Sequence, residues 1–531
     1  MMREQIHALI QDAVTREFGV AGTPDFSVVP PEDPLHGDYA TNVAMVIAKT
    51  VRSNPMEVAE RIKNAIAEHE LIGRIEVAKP GFVNIFLEND ATLHTLGQIL
   101  ENAEVWGVSD IGRGKTVMLD YFQLNIAKRP HIGHIRSAII GDALKRMFAS
   151  QGYHAVSDTH VGDWGTQFGI LLLGYKETGA SLHKEVVGSD PFGALEKIYL
   201  AENARIKDDP DRRERAKQEF AKLEQGDQEN REIWQWMVDI SMKNLETSAA
   251  RLGLLPFDEH RGESFYEDKM AAIVELALKK GIAKKTEDGA VIVDLTHEKL
   301  DEAVLIKSDG ASTYLLRDLA TIRYRKEQWN FWKNLYVVDV RQSHHFKQAF
   351  RVAELLGFEG VGESEHVSYG FVKLPEGMLS TRAGNVIALE KVLDEAIEKA
   401  RSAIKDKNPD LSGSENVARA VGIGALKYFD LSHHRASDIV FSWDRALSFD
   451  GNTGPYLQYT YARLKSILRK SQITIRQPAD KSQIADINVE MDALERYLAV
   501  LILRFPEAIE DALAIYSPHV LAAYLYDLAK S

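Results

Sequence analysis

The residues best suited to chemistry lie in Asn125-Ile-Ala-Lys128-Arg-Pro130-His131-Ile132-Gly133-His134, between a short apolar run, Val117–Phe122, and a helical pattern that starts near His131. Helix N-termini present unpaired N–H groups and the positive end of the helix dipole, so anions bind there. His131 and His134, one turn apart, add donors at that place. Gly133 lets a flat base approach the backbone, and Lys128 adds a mobile cation just upstream. The competing reading is that the two histidines only cap and pack the helix. The order of strand, loop, lysine, paired histidines and glycine favours phosphate handling. The chain has no GxxxxGK[ST] segment, so this is not a Walker loop.

These residues need a scaffold. The run Val117–Phe122 suits a buried parallel strand. Ile135, Ile139, Ala143 and Met147 recur at helical spacing up to Ser150, and His154–Ser157 begins a second strand. That is a βαβ unit, the opening of a Rossmann-type sheet. Further strand signals lie at Val291–Leu295, Glu302–Lys307, Leu335–Val340 and Val367–Leu374. The expected fold is multidomain α/β. Residues 1–108 form an N-terminal α+β domain. Residues 109–410 form a Rossmann-type parallel sheet domain with a charged helical insertion at about 175–252. Residues 411–531 form an all-α bundle.

Bulk composition narrows the class. With 531 residues, 45% hydrophobic and 27% charged, the chain has ample material for several cores. It lacks cysteine, which excludes disulfides, thiol catalysis and thiolate metal sites. A net charge of −14, nearly all of it before residue 411, argues against a broadly basic nucleic-acid binder but allows a local basic face such as Tyr461–Lys470. The N-terminus has no signal-peptide character and no apolar run is long enough to span a membrane, so a cytoplasmic protein with no membrane partner is expected.

The segment His131-Ile-Gly-His134 resembles the first signature of class I aminoacyl-tRNA synthetases. Its surroundings, Asn125–Lys128, Ile135-Arg-Ser137, Ile140-Gly-Asp142 and His160-Val-Gly-Asp-Trp-Gly-Thr-Gln-Phe-Gly169, resemble the arginine-specific family. A second signature is matched imperfectly at Met378-Leu-Ser380-Thr381-Arg382-Ala-Gly384-Asn385. The two lysines of its general pattern fall on Met378 and Thr381, leaving Arg382 as its cation. In members lacking that lysine, one just before the first signature is thought to compensate, and Lys128 stands there.

This resemblance implies ATP as substrate with Mg²⁺, bound by His131, Gly133, His134 and Ser380, with His131, His134, Lys128 and Arg382 acting on the leaving pyrophosphate. No tightly bound protein metal site is expected. It also implies an arginine site. Ser308–Ala320 resembles the family segment in which a Tyr and an Asp four apart, here Tyr314 and Asp318, hold the guanidinium; Glu263 is the second carboxylate. Asp120, Asn125 and Gln342 match the positions that meet the amino end. Taken alone, Tyr314 and Asp318 would read as an ordinary surface pair on one helix face.

Asp444–Tyr459 resembles the family's C-terminal, anticodon-binding domain. Tyr456, Gln458 and Tyr459 are its candidate tRNA contacts, since aromatics in a Gly-rich turn can stack on unpaired bases; equally, Tyr456 and Tyr459 can pack the first bundle helix. Gly37-Asp-Tyr-Ala40 and Lys79–Asn84 resemble the extra domain that touches the tRNA elbow. The family usually continues with another few helices beyond the point corresponding to Ser531, so the last domain is expected to be truncated. The implied partners are tRNA(Arg), arginine and ATP, and the expected state is a monomer. Two rivals remain: another adenylylating enzyme with the same signature, and a non-catalytic tRNA-binding paralogue.

Overall fold

The structure is a computed structural model that describes residues 2–20, 24–186, 190–374, 377–378, 388–407, 413–471 and 490–531. It divides into two compact units: Met1–Val108 with Thr460–Ala514 and Ala523–Ser531, and Ser109–Tyr459 with Ile515–Ala522.

In the first unit, helix α1 (Met2–Phe18) buries Ile6, Ile10 and Val14, residues four apart and hence on one face. They share a core with strands β1 (Val28–Val29), β2 (Tyr39–Thr41), β3 (Ile72–Ala78) and β4 (Phe82–Leu87), which form an antiparallel sheet in the order β1-β2-β4-β3. Helices α2 (Val43–Val51) and α3 (Pro55–Ala65) cover it; Asn54 caps α3 and Pro55 starts it. Helix α4 (Asn89–Glu101) follows. The segment Phe505–Ala514 belongs to this unit through Glu507, which accepts from the buried Tyr39 hydroxyl at 2.8 Å, and through Glu510 and Asp511, which pair with Arg3.

The second unit is built on the parallel sheet. Strand β5 (Thr116–Asp120) leads into helix α5 (Ile132–Ser150) and returns as strand β6 (His154–Asp158). Val117, Met118, Leu119 and Asp120 are buried, the continuous pattern of a strand covered on both faces. The expected strand extended to Phe122, but it stops at Asp120. Phe122 adopts φ +59°, and its N–H donates to Ser137 Oγ at 2.9 Å, fastening the loop to α5. Four helices follow, α6 (Thr166–Val186), α7 (Pro191–Asp208), α8 (Pro210–Glu224) and α9 (Gln228–Leu252). Asp190, Asp209 and Asp227 cap the last three.

Helix α10 (Glu267–Lys279) precedes β7 (Ala283–Lys285), β8 (Val291–Val293) and β9 (Ala303–Ile306). These three strands form their own antiparallel sheet. Helix α11 (Tyr314–Trp329), strand β10 (Lys333–Tyr336), helix α12 (Ser343–Leu356) and strand β11 (Ser364–His366) then complete the parallel sheet, in the order β11-β10-β5-β6. A small sheet joins β12 (Val372–Leu374), β13 (Gly377–Met378) and β14 (Ile439–Val440). Helices α13 (Leu389–Lys407), α14 (Ser414–Leu431), α15 (Trp443–Ala446) and α16 (Gly454–Ser471) follow in sequence around β14.

Arg136 of α5 is fully buried. It donates to the carbonyls of Gly370 and Ser437, both at 2.8 Å, and pairs with Asp430 of α14 at 3.0 Å, so the orientation of α5 is tied to its neighbours by charge. Among the described residues no helix is long and apolar enough to cross a membrane.

Candidate active site

The start of α5 is organised by its own histidines. His131 is the N-cap; its Nδ1 accepts from the N–H of Gly133 at 3.1 Å, and the Nδ1 of His134 accepts from the N–H of His131 at 3.0 Å. This is a reciprocal capping box made from imidazoles. The rings lie 3.8 Å apart, centre to centre. Burial holds both below the usual histidine range, His134 down to about 3; the charge of Arg341 adds to the effect on His131. Both rings are therefore neutral. With Nδ1 used as acceptor, the proton sits on Nε2, and each ring offers one N–H donor away from the helix. The capping and anion-handling readings are thus compatible, since one ring nitrogen serves each.

The loop that leads into this helix start also lines a cavity of about 390 Å³. The β5–α5 loop contributes Gln123, Leu124 and Asn125; the loop after β6 contributes His160 and Gly162; the turn before α10 contributes Glu263. The first turns of α11 supply Tyr314, Arg317 and Asp318, and the region around the start of α12 supplies Val338, Gln342, His345 and Phe346. The loops are bound to each other: Ile126 N–H donates to Gly162 carbonyl, and Gly162 N–H to Leu124 carbonyl, at 3.2 and 2.9 Å. Asp163 accepts from the Ser264 N–H and hydroxyl at 2.8 and 2.6 Å, which holds the Glu263 turn in place.

Five of the six candidate arginine residues, Asn125, Glu263, Tyr314, Asp318 and Gln342, line this one cavity, although 217 positions separate the first from the last. Asp120 does not line it. Its carboxylate accepts from Gln123 Nε2 at 2.5 Å and from Arg325 at 2.7 Å, so it reaches the cavity through Gln123. Burial pushes the Glu263 carboxyl up to about 7; Arg317 and His160 act against this, and Asp163 and Asp318 with it. His345 donates to Asp318 at 2.5 Å, and this bond raises the imidazole above its ordinary value despite burial.

Comparison with known proteins decides the family. Residues 95–443 match the model of the class I tRNA synthetase (R) catalytic domain, 3–87 the arginyl-tRNA synthetase N-terminal domain, and 457–531 the DALR anticodon-binding domain. The chain belongs to the arginyl-tRNA synthetases. It is 39% identical to the arginine–tRNA ligase of Fusobacterium nucleatum over 93% of this chain and 85% of that one. The Lactococcus lactis ligase is 38% identical over 99% and 88%. The crystal structure of the Plasmodium falciparum arginyl-tRNA synthetase superposes with TM-score 0.84 at 26% identity, covering 100% of this chain and 91% of that one. The Thermus thermophilus enzyme has the same fold, with TM-score 0.77 at 24% identity. Joining arginine to tRNA for translation is the activity this synthetase carries.

The remaining candidate residues of this synthetase are distributed as follows. Lys128 sits with its ammonium 5.3 Å from the centre of the Tyr199 ring. Ser380 and Arg382 lie outside the described residues. The segment that follows them is anchored at the first signature, with His131 bridged to Ala388 and Leu389 N–H donating to Pro130 carbonyl at 2.8 Å. Tyr459 is exposed. Tyr456 is half-buried, and Gln458 donates to the Ala420 carbonyl of α14 at 3.0 Å.

Sequence reasoning missed Gln123, His160 and Arg317 as lining residues, and Arg341 as a cation beside His131. Arg341 is 71% exposed in its side chain and held by two bonds to Asp339, at 2.9 and 2.8 Å. The one usable signal was nearness in sequence: Gln123 stands two residues before Asn125, and Arg317 and Arg341 stand immediately before Asp318 and Gln342.

Proposed function

We propose that the cavity is the arginine site and that ATP, entering as its magnesium complex, lies against the start of α5. The carrying observation is the convergence of Asn125, Glu263, Tyr314, Asp318 and Gln342 on one cavity whose β5–α5 wall continues into the paired histidines. A guanidinium presents five donors in a plane, and buried carboxylates are its natural acceptors. Asp318 and Glu263 supply these, with the Tyr314 ring at the mouth. Asn125, Gln342 and Gln123, the last held by Asp120, meet the amino end. A lysine side chain would leave acceptors unpaired, which is the basis of rejection.

In this reading the arginine carboxylate attacks the α-phosphate of ATP and pyrophosphate departs. The Nε2–H groups of His131 and His134, the Gly133 backbone and the cations Lys128 and Arg382 stabilise the charge that develops, and Ser380 contributes to the phosphate site. Mg²⁺ arrives on the ATP phosphates, the usual way this ion enters phosphate chemistry. The arginyl group then passes to the 2′-hydroxyl of the tRNA's terminal adenosine. Residues 109–410 are the catalytic domain with its insertion at 175–252; 1–108 meets the tRNA elbow; 411–531, with Tyr456, Gln458 and Tyr459, meets the anticodon arm. The enzyme works as a cytoplasmic monomer.

Pyrophosphate exchange into ATP tests this. Exchange should require arginine and rise sharply when matching tRNA is added; exchange indifferent to arginine would overturn the reading. The state of Glu263 adds a pH signature. With its carboxyl at about 7, it is charged above that pH and takes up a proton below it, while arginine stays cationic throughout. The arginine KM should therefore be flat above pH 7 and climb by up to about tenfold per pH unit below it. A KM that is level down to pH 5.5 would remove Glu263 from the guanidinium site.

A further inference from the structure

The cavity read here as a guanidinium site already contains a guanidinium. Arg317 lies between Tyr314 and Asp318 in sequence, lines the cavity and is 7% exposed. Its Nη1 stands 3.4 Å from Glu263 Oε2, and its Nη2 donates to Ser312 Oγ at 3.0 Å. The guanidinium carbon sits 5.6 Å from the centre of the Tyr314 ring. Among the described residues neither Arg317 Nε nor Glu263 Oε2 has a hydrogen-bond partner, although both are buried. The pair is thus a single ion contact that leaves Glu263 with unused acceptor capacity. A bidentate fork would have closed it.

The charges around Glu263 make this arrangement consequential. Asp163, from the loop after β6, and Asp318, from α11, face it with like charge; His160 and Arg317 face it with the opposite sign; the Tyr314 hydroxyl is also within its field. Arg317 in turn is felt by Glu224 at the end of α8 and Glu267 at the start of α10. Arg317 is the one guanidinium lining the cavity among the described residues. Without it, Glu263 would be a buried carboxyl beside two others, with the His160 imidazole alone among the described residues to offset them, and would favour its neutral form.

We propose that Arg317 is the positioning residue of the arginine pocket, acting through Glu263 to present a charged, fixed carboxylate to the substrate guanidinium. The proposal rests on the reading of the cavity as the arginine site. Substrate specificity then depends on a resident cation as well as on acids. Arg317 is held back on Ser312, so the open side of Glu263 and the carboxylate of Asp318 remain for the incoming guanidinium.

The test is the arginine KM and kcat of the full chain in tRNA charging, at saturating ATP and tRNA, from pH 6 to 8.5. The variants are Arg317→Met, Arg317→Gln, Arg317→Lys, Glu263→Gln and Arg317→Met with Glu263→Gln. Glu263→Gln is measured first: an arginine KM equal to that of wild type at every pH would sink the reading of the cavity itself. Given a raised KM in that variant, the neutral Arg317 variants should shift the KM upturn to higher pH by about one unit or more, raising KM at pH 7 about fivefold or more, with kcat little changed. Arg317→Lys should keep the upturn near its wild-type position. In the Glu263→Gln background, Arg317→Met should add less than about twofold.

Three results would overturn the proposal. One is a lower KM in the neutral variants, which would make Arg317 a resident competitor for the acceptors. Another is a KM increase that is the same at every pH. The third is full additivity with Glu263→Gln. The glutamine variant keeps a donor for Ser312 and carries the test if the methionine variant does not fold.

Discussion

Replacing His134 with asparagine should lower arginine activation by about two to three orders of magnitude, while the melting temperature should stay near that of wild type. The geometry separates two duties of this ring. Its Nδ1 accepts from the His131 N–H and closes the capping box, and its Nε2 is left as a donor at a helix N-terminus. The Oδ1 of asparagine occupies nearly the same place relative to the backbone as Nδ1, so the cap survives. The distal N–H does not. Alanine removes both: the rate should fall as far, and stability should also drop by about 0.5–1.5 kcal/mol, the usual net worth of one lost hydrogen bond. Pyrophosphate exchange and thermal melts on the two variants check this. An asparagine variant with wild-type exchange would mean that His134 serves only the helix. Because burial holds this imidazole down to about 3, no break in rate between pH 6 and 9 should come from it in the free enzyme.

What was legible in the sequence divides along a physical line. His131, Gly133 and His134 were legible because a helix start is a local object, set by a few consecutive residues, and the helix begins at Ile132. Tyr314 and Asp318 were legible as neighbours because helical spacing puts them on one face, and their joint presence at the cavity bears that out. Strand membership was only half legible. The short apolar runs Val291–Val293 and Ala303–Ile306 are strands, yet they pair antiparallel to each other, outside the parallel sheet. Runs of three or four apolar residues carry no information on direction of pairing. Arg136, Arg317 and Arg325 were the hardest. Each sits in a helix with charge on it, which ordinarily means solvent, and each is buried because carboxylates or carbonyls from distant segments receive it. Nothing within one helix announces that arrangement.

Arg325 gives the largest expected loss of stability. It lies on α11, eleven residues after Tyr314, and is 1% exposed. Its Nη2 donates to Asp120 at the end of β5, at 2.7 Å, and to Asp158 at the end of β6, at 2.8 Å. One cation thus joins the two strands that carry the cavity loops to the helix that carries Tyr314, Arg317 and Asp318. Burial pushes the Asp120 carboxyl up in spite of that charge. Asp158, which also accepts from the Arg261 N–H, is held below its ordinary value although burial acts upward on it. Arg325→Met fills similar volume and leaves two buried carboxylates facing each other, a change that costs about 3–5 kcal/mol.

The sign of its pH dependence follows from the same groups. Without the guanidinium, both folded-state carboxyls rise above their unfolded values. The variant can lower its penalty only by taking up protons, so its stability deficit should be smallest near pH 5 and grow toward pH 8. Denaturant melts of wild type and variant across that range measure it, and a deficit that shrinks with rising pH would contradict the assignment. A functional consequence separates this from simple loss of packing. Asp120 fixes Gln123 at the cavity wall, so the folded fraction of Arg325→Met should show a raised arginine KM with the ATP KM nearly unchanged. Equal increases in both would place the damage at the level of the whole sheet.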